Sequence, residues 1–202
     1  MPISQDRFAE GLTAQQFIDQ MTKNRERFDQ NLMETTAIIT EDDRAFFAEH
    51  PVSIAAIAED WCTDVIQFLP PVIKLAEACD LPLRVFLRDQ NHDLIDQYLK
   101  QGEFRSIPVF VLYDADWNEL GHFIERPASV TQEMAKESRR FALDNGHLEG
   151  VNRSYENMPD ETRTLVRENS ARFRWDNMLA WNRTFIDEIK SIAASAKAGA
   201  VR

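Results

Sequence analysis

Cysteine is scarce in this 202-residue chain: there are two, Cys62 and Cys79, alongside four scattered histidines. Two thiols cannot build a disulfide framework, and no pair of Cys or His falls at a zinc-ligand spacing, so neither a stapled scaffold nor a metal centre is expected. Long apolar runs are missing too. Nothing approaches the roughly 18 apolar residues of a membrane span, and the polar stretch from Met1 to Ala14 lacks the apolar core of a signal peptide. The expectation is a cytoplasmic protein with no membrane partner. Basic residues are outnumbered, 23 Lys and Arg against 34 Asp and Glu, and a net charge of -11 with no basic patch argues against nucleic-acid binding.

What is present is an ordinary folding composition, 44% apolar and 28% charged, far from the signature of disorder. The length suits one core with extensions. Thr13 with Gln16 three residues on forms a capping-box pattern, and Phe17, Met21, Phe28 and Leu32 then recur at helical spacing, predicting one amphipathic helix. Thr40 opens a shorter helix over Glu41 to Glu49, stopped by Pro51. The continuous apolar run from Val52 to Ala58 suits a strand covered on both faces, and Leu83 to Leu87 and Val109 to Tyr113 are similar. Helical periodicity over Asp64 to Ala78 and over His92 to Lys100 separates these three strands, and Glu119 to Ile124 is placed as an antiparallel partner, making the sheet mixed. Ser129 to about Leu143 reads as a helix and His147 to Asp160 as a polar connector. Trp175, Met178, Trp181, Phe185, Ile189 and Ile192 then mark a C-terminal helix with an aromatic face, which either packs back on the domain or forms a homodimer or partner interface.

This order puts Trp61-Cys62-Thr63-Asp64-Val65 where the first strand ends and a helix begins, the edge at which ligands gather in open α/β sheets. Here the chain resembles the thioredoxin-like superfamily. Trp61 and Cys62 match its Trp-Cys-x-x-Cys motif. Pro70, eight residues after Cys62, falls where the family helix carries a kinking proline, Asp89-Gln90-Asn91 follows the second strand as in thioredoxins, and Arg105-Ser106-Ile107-Pro108-Val109 looks like the cis-proline loop. Glu59-Asp60-Trp61-Cys62 together with Arg105-Ser106-Ile107-Pro108 most resembles bacterial thioredoxin-like proteins with a helical N-terminal extension. The resemblance covers about Ser53 to Ile124. It implies an α/β thioredoxin-like fold, a mixed four-stranded core sheet flanked by helices, with added N- and C-terminal helices: an extension over 1–50, a core over 51–145, and a connector with C-terminal helix over 146–202. It also implies a cis Ile107-Pro108 bond, which the sequence itself does not supply.

Two departures bear on chemistry. Val65 stands in place of the resolving cysteine, so a mixed disulfide at Cys62 has no intramolecular exit, and Ala56 stands where many thioredoxins bury an aspartate. Cys79 lies 17 residues past Cys62, about 25 Å along a continuous helix, against the roughly 7 Å a disulfide allows between Cα atoms. It reads as a core residue. Two functions therefore stand side by side. One is monothiol thiol-disulfide exchange through Cys62, with a protein thiol or disulfide or a low-molecular-weight thiol such as glutathione as partner and no cofactor. The other is a redox-inactive binding module using the groove between Trp61-Cys62 and the Ile107-Pro108 loop. The candidate contact residues are Trp61, Thr63, Asp64, Ser106, Ile107 and Pro108. A helix N-terminus favours a thiolate at Cys62 by about 0.3–2 kcal/mol, while Glu59, Asp60 and Asp64 oppose it at about 1 kcal/mol each, so the terms nearly cancel. Asp64 is expected to cap the helix, the acidic pair Glu59 and Asp60 to be solvated, and Arg126 is noted for an anion contact.

Overall fold

The apolar run after Pro51 becomes the middle of a sheet. A computed structural model describes residues 3–195, in which β1 (Ser53–Ala58), β2 (Leu83–Leu87), β3 (Val109–Tyr113) and β4 (Glu119–Ile124) form one four-stranded sheet in the order β2-β1-β3-β4. β1 runs parallel to β2, with Ile54 opposite Leu83, and antiparallel to β3, with Ile57 opposite Val109; β4 closes the far side antiparallel to β3. Every residue from Ile54 to Ala58 and from Val109 to Tyr113 is buried, which is why neither strand shows apolar alternation. The edge strand β4 is only partly buried, with Phe123 its buried anchor.

The helices are α1 (Gln5–Ala9), α2 (Ala14–Gln20), α3 (Arg25–Thr35), α4 (Glu41–Glu49), α5 (Thr63–Cys79), α6 (His92–Ile95), α7 (Ala128–Asp144), α8 (Asp160–Asp176) and α9 (Met178–Ala194). By its contacts the chain divides into two compact units, Met1–Arg126 with Asn182–Arg202, and Pro127–Trp181. This division puts α7 and α8 in the second unit and most of α9 in the sheet-bearing one.

In the first unit, the capping box at Thr13 forms in both directions, 3.2 Å from the Gln16 N–H to the Thr13 hydroxyl and 2.8 Å from the Thr13 N–H to the Gln16 side chain. The single helix expected over Phe17 to Leu32 is instead α2 and α3, broken at Met21 and restarted by Asn24 in the left-handed region at φ 56°. The stripe survives the break because Phe17, Met21 and Phe28 all remain buried. Ahead of α2, Leu12 exchanges two backbone hydrogen bonds with Val85 (2.9 and 2.8 Å), covering the open edge of β2. Gly11 permits this approach: a Cβ there would lie 2.8 Å from the Arg84 Cβ and 2.9 Å from the Phe86 ring.

α5 carries Pro70 and Pro71 in its interior. Each removes the N–H that would bond the carbonyl four residues earlier, at Ile66 and Gln67. Asn31 on α3 supplies the missing donor, its Nδ2 lying 2.8 Å from the Ile66 oxygen and 3.0 Å from the Gln67 oxygen. Behind it Asn182 donates to Asn31 Oδ1 (2.9 Å) and Thr35 Oγ1 (2.8 Å) and accepts from Gln67 Nε2 (2.7 Å), so the polar cluster is held within the core.

Two further helices differ from expectation. α6 stops at Ile95 instead of reaching Lys100, because the chain turns back through Gln101 and Gly102, both at positive φ, and Lys100 pairs with Phe104. Toward the C-terminus, Trp175 lies in the last turn of α8 and the positions from Met178 to Ile192 belong to α9; Asn177, between them, caps α8 through its Nδ2 on the Phe173 oxygen at 2.8 Å. Of the two uses left open for the aromatic face, the structure shows packing within the chain: Phe185 is 0% exposed, against the rings of Phe68, Phe110 and Phe123 at 4.8–5.2 Å.

Candidate functional site

β1 ends at Ala58, and four residues later Cys62 becomes the N-cap of α5, with extended geometry at φ -86° and ψ 122°. Its carbonyl accepts the first helical bond, from Ile66 N–H at 3.1 Å. Its half-buried thiol donates to the Ile107 carbonyl oxygen at 3.4 Å, and the Ile107-Pro108 bond is cis. The turn and the loop are 45 residues apart in sequence and meet at this sulfur. Trp61 is 39% exposed, with the Arg88 guanidinium over its ring at 4.6 Å. That cation also reaches the Arg105 carbonyl at 3.4 Å, tying β2's end to the proline loop.

The other expected residues divide between groove and interior. Thr63 is exposed on the first turn of α5, and Ser106 is half-buried with its N–H on the Phe104 oxygen at 2.8 Å. Ile107 and Pro108 are buried. Asp64 is not the cap residue, a position Cys62 holds; it is buried in the first turn and pairs with Arg126 at 3.3 Å. The anion that Arg126 meets is thus supplied by the protein. Arg126 also bonds Glu125, which takes a further bond from Lys100 and sets its backbone N–H 2.7 Å from the Pro108 oxygen. Burial pushes the Glu125 carboxyl up, but the bonds from Lys100 and Arg126 outweigh it and hold it below the usual range.

The acidic pair before Trp61 is half-buried and bonded to the chain, not free in a loop. Asp60 Oδ2 accepts the N–H groups of Thr22 (2.7 Å) and Lys23 (2.9 Å), and Asn24 Nδ2 donates to the Asp60 carbonyl at 2.8 Å. The break between α2 and α3 is thereby latched to the cysteine turn. Glu59 accepts the Asp89 N–H at 2.8 Å; burial, joined by the Asp89 and Asp60 charges, pushes its carboxyl up. Thr22, Lys23, Asn24, Arg88, Lys100 and Glu125 were not singled out by sequence. Arg88, Lys100 and Glu125 lie near motif residues, whereas Thr22, Lys23 and Asn24 carry no sequence signal, their partner Asp60 lying 36–38 residues away.

Both departures from the dithiol pattern are buried: Val65 and Ala56 are 0% exposed. Cys79 ends α5 at the opposite terminus from Cys62, and burial pushes its thiol up, with the Asp43 charge adding to the effect. A half-buried sulfur thus stands at a helix N-terminus, beside a proline loop and an exposed indole. No second thiol stands at the resolving position.

Residues 11–139 match the family model described as Thioredoxin. Among solved structures, a protein of unknown function from Pseudomonas aeruginosa is similar at 16% identity and a TM-score of 0.56, over 81% of this chain and 92% of that one. An HIV epitope-scaffold is similar at 15% identity and a TM-score of 0.59, over 92% of this chain and 93% of the scaffold. At these identities the likeness is one of fold. No curated protein matches the sequence.

Proposed function

Since the chain belongs to the thioredoxin family, we propose that it carries out monothiol exchange: Cys62 forms a mixed disulfide that an external thiol resolves. The observation that carries this reading is the placement of the Cys62 sulfur at the N-terminus of α5, 3.4 Å from the Ile107 oxygen, with buried Val65 three residues on. The Cys62 thiolate attacks one sulfur of a substrate disulfide, forming a bond to it while the other sulfur leaves as a thiolate that takes up a proton. A second thiolate, from a low-molecular-weight thiol such as glutathione, then attacks the substrate sulfur and releases Cys62. No net electrons remain on the protein, so one cysteine suffices. Trp61, Thr63 and Ser106 border the approach to the sulfur, and the Ile107-Pro108 loop forms its floor.

One observation favours the second reading, a groove used for contacts alone. The Cys62 S–H is already engaged with the Ile107 carbonyl oxygen. Exposure of a Cys79→Ser variant to oxidised glutathione, followed by intact mass and reduction with glutathione, separates the two. Addition of one glutathione at Cys62, reversed by reduced glutathione, supports exchange; an unmodified protein at pH 8 with slow alkylation refutes it in favour of the contact module.

A further inference from the structure

The second unit holds a cavity of about 210 Å³ that thiol exchange does not use. Its walls are apolar: Met134 and Phe141 from α7, Val166 and Phe173 from α8, and Val151 and Met158 from the segment between them. That segment has a polar sequence without period, yet it folds over the cavity because Thr162 bonds the Glu149 oxygen at 2.8 Å and Gly150 turns at φ +71°, where a Cβ would strike the Pro159 ring at 2.8 Å. Val151 is buried as a result.

Among these apolar walls stand four polar residues, Glu137 and Ser138 from α7 and Asn169 and Ser170 from α8. The Glu137 side chain is 8% exposed; its Oε1 accepts from Asn169 Nδ2 (2.9 Å) and Arg140 Nη2 (2.8 Å), and its Oε2 accepts from Arg140 Nε (2.8 Å). The Arg140 bonds, joined by that from Asn169, hold the carboxyl below the usual range, so it is an acceptor at neutral pH. A carboxylate oxygen offers about two lone-pair sites, and among the described residues Oε2 receives one donor, leaving one direction open. A dry apolar cavity of about 150 Å³ admits benzene. By proportion this one admits about eight non-hydrogen atoms, a single aromatic ring with two substituents.

We propose that this cavity is a binding site for a small neutral aromatic molecule carrying one hydrogen-bond donor, of the size of an alkylphenol, with its hydroxyl on Glu137. An aromatic acid is excluded by the facing carboxylate, and a larger amphiphile by volume. The site is independent of Cys62 and of the exchange reading.

The test uses the full chain labelled at its methionine methyls and titrated with para-cresol and with toluene, watched by NMR. Saturable shifts at Met134 and Met158 but not at exposed Met33, with toluene weaker by about tenfold or more, are expected. Ala142→Phe, which fills the space, removes the response; should that variant not fold, the ratio of the two ligands on the unsubstituted protein decides alone. Absence of a saturable shift up to the solubility of para-cresol, equal shifts at Met33, or toluene binding as tightly as para-cresol each overturns the proposal.

Discussion

Replacing Asn31 with Leu keeps the branched shape of the side chain and removes the amide that donates to the Ile66 and Gln67 carbonyls, which Pro70 and Pro71 deprive of their helical partners. Leucine leaves no room for a compensating water, so each carbonyl bears its desolvation cost in full, about 1–3 kcal/mol. The two together give about 2–6 kcal/mol, a large share of a folding stability of roughly 5–15 kcal/mol. The Asn182 amide and Thr35 hydroxyl, which donate to Asn31 Oδ1 at 2.9 and 2.8 Å, lose an acceptor as well, which places the expectation in the upper half of that range. Urea unfolding at constant m reads the change as a lowered midpoint. The cause is isolated by a double-mutant cycle: with Pro70→Ala and Pro71→Ala the backbone N–H groups return, and Asn31→Leu then costs at least about 2 kcal/mol less. A coupling within about 0.5 kcal/mol of zero refutes the claim that Asn31 stands in for the two missing donors.

Asp43 is 1% exposed and accepts from Arg183 (2.7 Å), Lys190 (2.9 Å) and Thr40 (3.0 Å). Burial raises its pKa, but these bonds prevail and hold it far below the usual range. Its stabilising effect is therefore present above the unfolded value near 3.9 and lost as pH falls below it, so Asp43→Asn lowers stability at pH 7 and flattens the acid slope of the unfolding free energy below about pH 4. An unchanged slope contradicts this. Asp60→Ala releases the turn at Thr22 to Asn24; amide exchange at Thr22 and Lys23 speeds up by about tenfold while β1 stays protected, and equal protection in both proteins contradicts the latch. Val65→Cys supplies a resolving thiol, so mass analysis after oxidised glutathione finds an internal disulfide at Cys62 in place of a lasting mixed disulfide; persistence of the glutathione adduct contradicts the assigned geometry.

The strands were legible because burial on both faces leaves an unbroken apolar run, as at Ile54 to Ala58, and the sulfur-proline pairing was legible because short motifs carry it. Breaks in helical periodicity were harder. Phe17, Met21 and Phe28 keep their spacing across an interruption caused by Asn24 and the Asp60 latch, a contact 38 residues away, and periodicity cannot register it. The same holds at Asn177, where α8 and α9 meet without disturbing the aromatic rhythm. Asn31 carries no sequence signal, because the carbonyls it serves, at Ile66 and Gln67, lie 35 and 36 residues away. Glu59 and Asp60 read as solvated for a related reason: their partners are backbone N–H groups, which sequence does not distinguish. The cavity in the second unit depends on a connector whose polar composition hides the buried Val151.

The most direct measurement of the central claim is turnover. Catalytic amounts of the Cys79→Ser protein are added to a peptide–glutathione mixed disulfide with excess reduced glutathione, and release of the peptide thiol is followed. The expected result is a rate proportional to protein concentration, abolished by Cys62→Ser and sustained over many equivalents without a second protein thiol. A rate equal to that of glutathione alone, or one that survives Cys62→Ser, contradicts monothiol exchange at this site.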